Sequence, residues 1–125
     1  MTAQSVAFVI LEHDHPFIHW DFMFEEGDSL RSWRLLQEPI FEQWIDAEPL
    51  PRHRKHYLDY EGPVSGNRGQ VTRWDFGTCQ VNELQEEKIS LILNGSRLSA
   101  KVTLERTSPD SERWKVWISP IEQIV

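Results

Sequence analysis

Residues 98–105 set Leu98, Ala100, Val102 and Leu104 in strict alternation with Ser99, Lys101, Thr103 and Glu105. A period of two is the spacing of a strand with one buried face, and a helix cannot sustain it. Trp114, Val116 and Ile118 repeat the pattern after the turn signal Ser108-Pro109-Asp110-Ser111. Upstream, Asn94-Gly95 is a hairpin signal, because a type I′ turn needs positive φ at both central residues. Residues 78–84 and 88–93 are expected to pair around the acidic turn Gln85-Glu86-Glu87. Residues 70–74 read as a strand closed by an Asp75-Phe76-Gly77 turn. Nearer the start, residues 6–12, 19–25 and 30–36 read as a three-strand meander, with Glu26-Gly27-Asp28-Ser29 closing its second hairpin. Many short strands with almost no helix mean a β-barrel or sandwich. We expect an all-β fold: a small closed or nearly closed antiparallel β-barrel with long loops and at most one short helix.

Two segments break the alternation. Between residues 38 and 51, Pro39, Pro49 and Pro51 bracket Phe41, Trp44 and Ile45 at helical spacing. This predicts one helical turn inside a long loop, and loops of that length in small domains are often functional. Residues 53–60, H-R-K-H-Y-L-D-Y, are basic and then aromatic, and the glycine loop Ser65-Gly66-Asn67-Arg68-Gly69 follows.

A chain of 125 residues is expected to form one domain with a single core. The lone Cys79 permits no internal disulfide, which fits a reducing cytoplasm. No run of about 18 apolar residues could cross a membrane as a helix. Residues 1–5 lack the basic and apolar regions of a secretion signal, so a cytoplasmic location is expected. The formal net charge of −7 argues against a general nucleic-acid coat, since phosphate binding is driven by Lys and Arg. A local basic patch on an acidic body remains open.

The chemistry concentrates in residues 10–25, I-L-E-H-D-H-P-F-I-H-W-D-F-M-F-E. His19 and Asp21 are two apart, so on a strand both face one space. His13 precedes Pro16, and a turn there would fold its strand back beside His19. Two imidazoles and a carboxylate would then converge. Such a set suits a divalent transition metal and leaves positions for water or substrate; otherwise these are ordinary polar strand positions. His19-x-Asp21 with His53 would alternatively give the order of a non-haem iron triad. Arg52, Arg54 and Lys55, with Arg68 across the loop, read either as a solvated face or as phosphate contacts beside His53.

Several motifs in order resemble one family. His13-Asp14, His19-Trp20-Asp21-Phe22 and Leu30-Arg31-Ser32-Trp33 come first. Asp59-Tyr60-Glu61-Gly62 follows His53, and Trp74-Asp75-Phe76-Gly77-Thr78 comes next. Leu93-Asn94-Gly95 with Leu98, and Leu104-Glu105-Arg106, complete the set. Together they resemble the 3′-phosphoesterase domain of bacterial ligase D, the end-joining DNA ligase, over nearly the whole chain. The resemblance implies a small β-barrel that binds Mn²⁺ through His13, His19 and Asp21, with His53 and Tyr57 in the active site. It implies removal of a 3′-terminal ribonucleotide or 3′-phosphate from DNA ends in repair. At three positions where the family carries cations this chain has Met23, Gln37 and Ile45. Arg52, Arg54 and Arg68 are therefore the expected phosphate holders, or else the domain binds metal and DNA ends without cleaving them. Neither a ligase nor a polymerase domain stands in this sequence, so an end-joining role is expected to draw on a separate ligase or polymerase.

Overall fold

The computed structural model describes residues 4–121. Its strands are β1 (Gln4–His13), β2 (His19–Glu26), β3 (Ser29–Leu35), β4 (Ile45–His53), β5 (Gly62–Pro63), β6 (Gln70–Leu84), β7 (Lys88–Gly95), β8 (Ser99–Arg106) and β9 (Trp114–Pro120). A 3₁₀ helix, Lys55–Leu58, is the one helical element among the described residues. The sheet runs β1-β2-β3-β4-β9-β8-β7-β6, and β6 pairs back onto β1, which closes an eight-stranded antiparallel barrel. β5 is a short addition on β6. Closure removes the sheet's long edges and leaves open the side of β4 beyond Ala47.

Alternation assigns the two faces of each strand. Phe8 and Ile10 of β1, with Trp20, Phe22 and Phe24 of β2, point into the barrel and join the main core. Trp33 lies near its centre, stacked on Phe24 at 5.8 Å and edge-on to Trp114 at 5.5 Å. The intervening Val9, Leu11 and Met23 point outward, yet they too are buried. With Leu30 and Val71 they form a second apolar cluster on the outer wall, covered by Tyr57, Leu58, Tyr60 and Val64. The 3₁₀ helix and the loop after it therefore roof one patch of the barrel's outside. Cys79 is buried in the main core, and burial pushes its thiol up to about 12, so it is inert at neutral pH.

The structure corrects three local expectations and adds one element. The segment after residue 38 is not a long loop with a helical turn: from Ile45 it is strand β4. β4 pairs with β9 only through Ala47, so beyond it that side is an edge where a proline's missing N–H breaks no ladder bond. That tolerance admits Pro49 and Pro51. Asp75-Phe76-Gly77 is not a turn but lies inside the 15-residue β6, just after an irregularity opposite Ile10 and Leu11. Asn94-Gly95 ends β7 instead of forming the centre of a two-residue turn; the connection continues to Leu98, whose carbonyl accepts the Gly95 N–H at 2.8 Å. Gly95 is needed for room, since an added Cβ would lie 2.4 Å from Asp75 Oδ2. Finally, residues 55–58 are helical, which stacks His56 against Tyr57 at 4.1 Å.

Asp75 explains how that connection is held. Its buried carboxylate accepts the N–H groups of Phe76, Arg97 and Leu98, each at 2.8 Å. Charge-assisted bonds of this kind contribute roughly 1.5–3 kcal/mol each. We expect Asp75→Ala to lower stability by about 3–5 kcal/mol, read as a fall in the denaturant midpoint at unchanged slope. A midpoint near that of the unaltered protein would show that the loop is held by packing instead.

A candidate metal centre on the outer wall

The β1–β2 hairpin sets His13 directly opposite His19, and Leu11 opposite Asp21. Register therefore places His13, His19 and Asp21 on one face, at the hairpin end and on the outer wall of the barrel. His13 Nδ1 lies 3.7 Å from Asp21 Oδ2, and His19 Nε2 lies 3.3 Å from Asp21 Oδ1. The ligand-type atoms of all three lie within 4.8 Å of one another. His53 does not join this cluster, so the iron-triad order is not the set that converges.

Backbone carbonyls fix which nitrogen each imidazole presents. His13 donates its Nε2–H to the Arg68 carbonyl at 2.7 Å, and His19 donates its Nδ1–H to the Phe17 carbonyl at 2.8 Å. Each ring thus turns its other nitrogen toward Asp21. His19 is fully buried, and Asp21 is only 4% exposed. His19 Nε2 and Asp21 Oδ1 are buried without a hydrogen-bond partner. Facing acceptors with no donor between them are costly in a dry site, and a cation removes that cost. Imidazole and carboxylate donors of fixed orientation fit Zn, Fe or Mn, and the carbonyl partners are the outer support that ligating histidines usually have. Gly69, at φ +74, allows the Arg68 loop to close on the hairpin turn; a Cβ there would meet Asp14 Oδ1 at 2.2 Å.

The electrostatics follow. The Asp21 carboxylate beside it raises the His13 pKa above its ordinary 6.5. Burial pushes the Asp21 carboxyl up, but the two imidazoles outweigh it and hold the group below 3.8. A proton on His13 and a metal ion compete for the same nitrogen. We expect apparent metal affinity to fall as pH drops through the raised His13 pKa, by up to about tenfold per pH unit for one displaced proton. Without metal the sign reverses for His13. Its contribution to stability is complete below pH 6.5 and is lost as pH rises through its folded value. The Asp21 contribution is complete above pH 3.8 and is lost as pH falls through its lowered folded value. Metal titrations across pH 5–8 check the affinity, and thermal unfolding in chelator from about pH 2 to 8 checks the His13 and Asp21 signs.

A cleft of about 530 Å³ opens beside this cluster, lined by His13, Asp21, Met23, His53, Tyr57 and Arg68 among others. β4 and the 3₁₀ helix bring His53 and Tyr57 together, with ring centres 5.6 Å apart. His53 donates its Nδ1–H to the Pro51 carbonyl at 2.9 Å, which leaves Nε2 as an acceptor. Burial lowers the His53 pKa, so the ring is neutral at pH 7.

The expected phosphate cations divide. Arg68 lines the cleft, but its guanidinium donates to the Ser65 carbonyl at 2.7 Å and to Ser65 Oγ at 3.2 Å. Arg52 lines it too, while ion-paired to Glu26 and bonded to Ser29 Oγ at 3.2 Å. Arg54 is exposed, precedes the helix and is not part of the cleft lining. Met23 is buried in the cleft wall and Ile45 in the barrel core, so neither offers a charge. Glu25 accepts the Ala7 N–H at 2.7 Å and pairs with Lys55 at 3.2 Å, which ties the helix to β2. Sequence reading missed Arg34, which also lines the cleft and pairs in register with Asp21. The signal was available: a hairpin closing at residues 26–29 sets residues whose numbers sum to 55 opposite each other, hence Asp21 with Arg34.

Fold and site together describe a small closed barrel with a His-His-Asp cluster on its wall, beside a cleft that holds a neutral histidine, a tyrosine and several arginines. Residues 11–106 match the family described as the DNA ligase D 3′-phosphoesterase domain, and the chain belongs to that family. It is 27% identical over 111 residues to the multifunctional non-homologous end joining protein LigD of Pseudomonas aeruginosa, covering 81% of this chain and 13% of that protein. It is 28% identical over 123 residues to the multifunctional non-homologous end joining DNA repair protein LigD of Mycobacterium tuberculosis, covering 91% of this chain and 16% of that protein. The chain thus spans only a small part of the curated relatives that it matches.

Proposed function

We propose that this chain is a metal-dependent phosphoesterase that removes a 3′-phosphate or 3′-terminal ribonucleotide from DNA ends during end-joining repair. The observation that carries this reading is the convergence of His13, His19 and Asp21 beside His53 and Tyr57 in one cleft, within a chain of this family. In this reading His13 Nδ1, His19 Nε2 and a carboxylate oxygen of Asp21 hold Mn²⁺. A bound divalent ion would polarise the phosphoryl group and offset its developing charge. His53 accepts a proton at Nε2, the one ring nitrogen not committed to the backbone. Tyr57 stands edge-on to His53 and presents a hydroxyl able to donate to a phosphate oxygen. The apolar wall of Leu11, Met23 and Val71 limits water around these groups.

One observation favours a second reading, a domain that binds metal and DNA ends without cleaving them. Arg52 is ion-paired with Glu26 and Arg68 donates to Ser65, so a phosphate would have to compete with partners that both guanidinium groups already have. One experiment separates the two: Mn²⁺ titration, then cleavage of primer-templates ending in a 3′-phosphate or a single 3′-ribonucleotide, with and without Mn²⁺. Mn²⁺-dependent release of phosphate or ribonucleoside supports the enzyme. No turnover with a loaded metal site leaves the binding domain. In either case a separate ligase or polymerase is the partner expected to use the end.

A further inference from the structure

We infer that Arg34 is the anion-holding cation of the cleft, gripping non-bridging oxygens of the terminal phosphate; this rests on the phosphoesterase reading. Arg34 sits on β3 between two acidic register partners, Asp21 on β2 and Glu48 on β4. Neither takes its charge. Asp21 is occupied by the two histidines, and Arg34 has no ion pair or hydrogen bond to its side chain among the described residues. Its Nε is buried without a partner, and its guanidinium carbon lies 5.8 Å from the centre of the Phe17 ring. Of the three arginines lining the cleft, Arg52 and Arg68 are tied to neighbouring groups and Arg34 is not.

A half-buried guanidinium with no acceptor is an unmet demand for one. In a protein of net charge −7, a local carboxylate would be the ordinary answer. None fills the role, although Asp21 and Glu48 stand on the adjacent strands. The flat fork of Arg matches two oxygens of a phosphate. A terminal phosphate, which carries two anionic charges, would satisfy it better than an internal diester that carries one. The Phe17 face beside it gives the adjoining base or sugar an apolar surface. Arg34 therefore confers preference for the terminal phosphate over the bare hydroxyl end.

The test uses Mn²⁺-loaded full chain and two primer-templates. One ends in a 3′-methylenephosphonate, which keeps the anionic oxygens but cannot be hydrolysed; the other ends in a 3′-hydroxyl. The unaltered protein is expected to bind the phosphonate end more tightly. Arg34→Ala should weaken phosphonate binding about ten- to hundredfold, leave the hydroxyl end little changed, and retain Mn²⁺ affinity. Arg34→Lys should recover part of the loss, because charge remains while the fork is gone. Arg34→Gln, which keeps much of the buried stem, repeats the comparison if the alanine variant does not fold. An Arg34 variant that folds and keeps the full preference overturns the inference. So does a variant that loses Mn²⁺, since Arg34 would then support the metal cluster. Absence of any preference in the unaltered protein overturns the phosphoesterase reading itself, and the inference with it.

Discussion

Asp21→Ala is expected to abolish divalent-metal binding at micromolar metal while the barrel stays folded. Asp21 is the shared partner of both imidazoles, and no other carboxylate joins the cluster among the described residues. Losing an outer support of a metal ligand typically costs ten- to hundredfold in affinity, so losing a ligand outright should cost more than about a hundredfold. The effect on folding is smaller for a specific reason. The residue is only 4% exposed at the inner end of the cleft, so its removal leaves a small void and two unfaced nitrogens. Stranding a buried charge would be severe. Here none is stranded, because His13 can release its proton near neutral pH. Calorimetric titration with Mn²⁺, paired with thermal unfolding in chelator, reads both halves. Loss of cooperative unfolding in chelator, where neither protein holds metal, would assign Asp21 to the fold instead.

His53→Ala is expected to lower 3′-end cleavage by roughly a hundred- to ten-thousandfold, the range of a positioned proton-transfer group, with Mn²⁺ affinity retained. The geometry separates the two effects. His53 lies on β4, outside the ligand cluster, and its Nδ1–H is committed to the Pro51 carbonyl. Burial keeps the ring neutral at pH 7, so Nε2 can accept a proton across the working range. Cleavage by the unaltered protein should therefore fall as pH drops through the lowered His53 pKa, and that limb should vanish in the variant. Unchanged turnover, or a variant whose Mn²⁺ binding collapses too, would remove His53 from proton transfer.

The convergence of His13, His19 and Asp21 was legible because its geometry is local. An i, i+2 pair on one strand and a proline turn returning the other strand fix three side chains with no long-range information, and register then sets His13 opposite His19. The meander and the hairpins around residues 85–87 and 108–111 were legible for the same reason. β4 was not, because Pro49 and Pro51 argue against a strand unless one knows that its neighbour β9 stops pairing at Ala47. β6 was read as ending too soon because Asp-Phe-Gly looks like a turn, whereas Asp75 reaches across to bind the next hairpin's N–H groups. Arg34 escaped notice because one cation in an alternating strand ordinarily points to water. Its lack of a partner is a three-dimensional fact.

Phe8 and Ile10 of β1, with Trp20, Phe22 and Phe24 of β2, serve the core, while the alternate residues Leu11, His13, Asp21 and Met23 line the cleft. A strand's period of two means that deleting one residue from β2 upstream of Asp21 would exchange the faces of the β2 residues beyond it, turning Phe22 and Phe24 outward and Asp21 into the barrel, away from His13. Within these two strands a change of length therefore costs far more than a substitution at an outward position. Within that reading frame, the outward column can be rewritten for a new reaction while the inward column keeps the barrel standing.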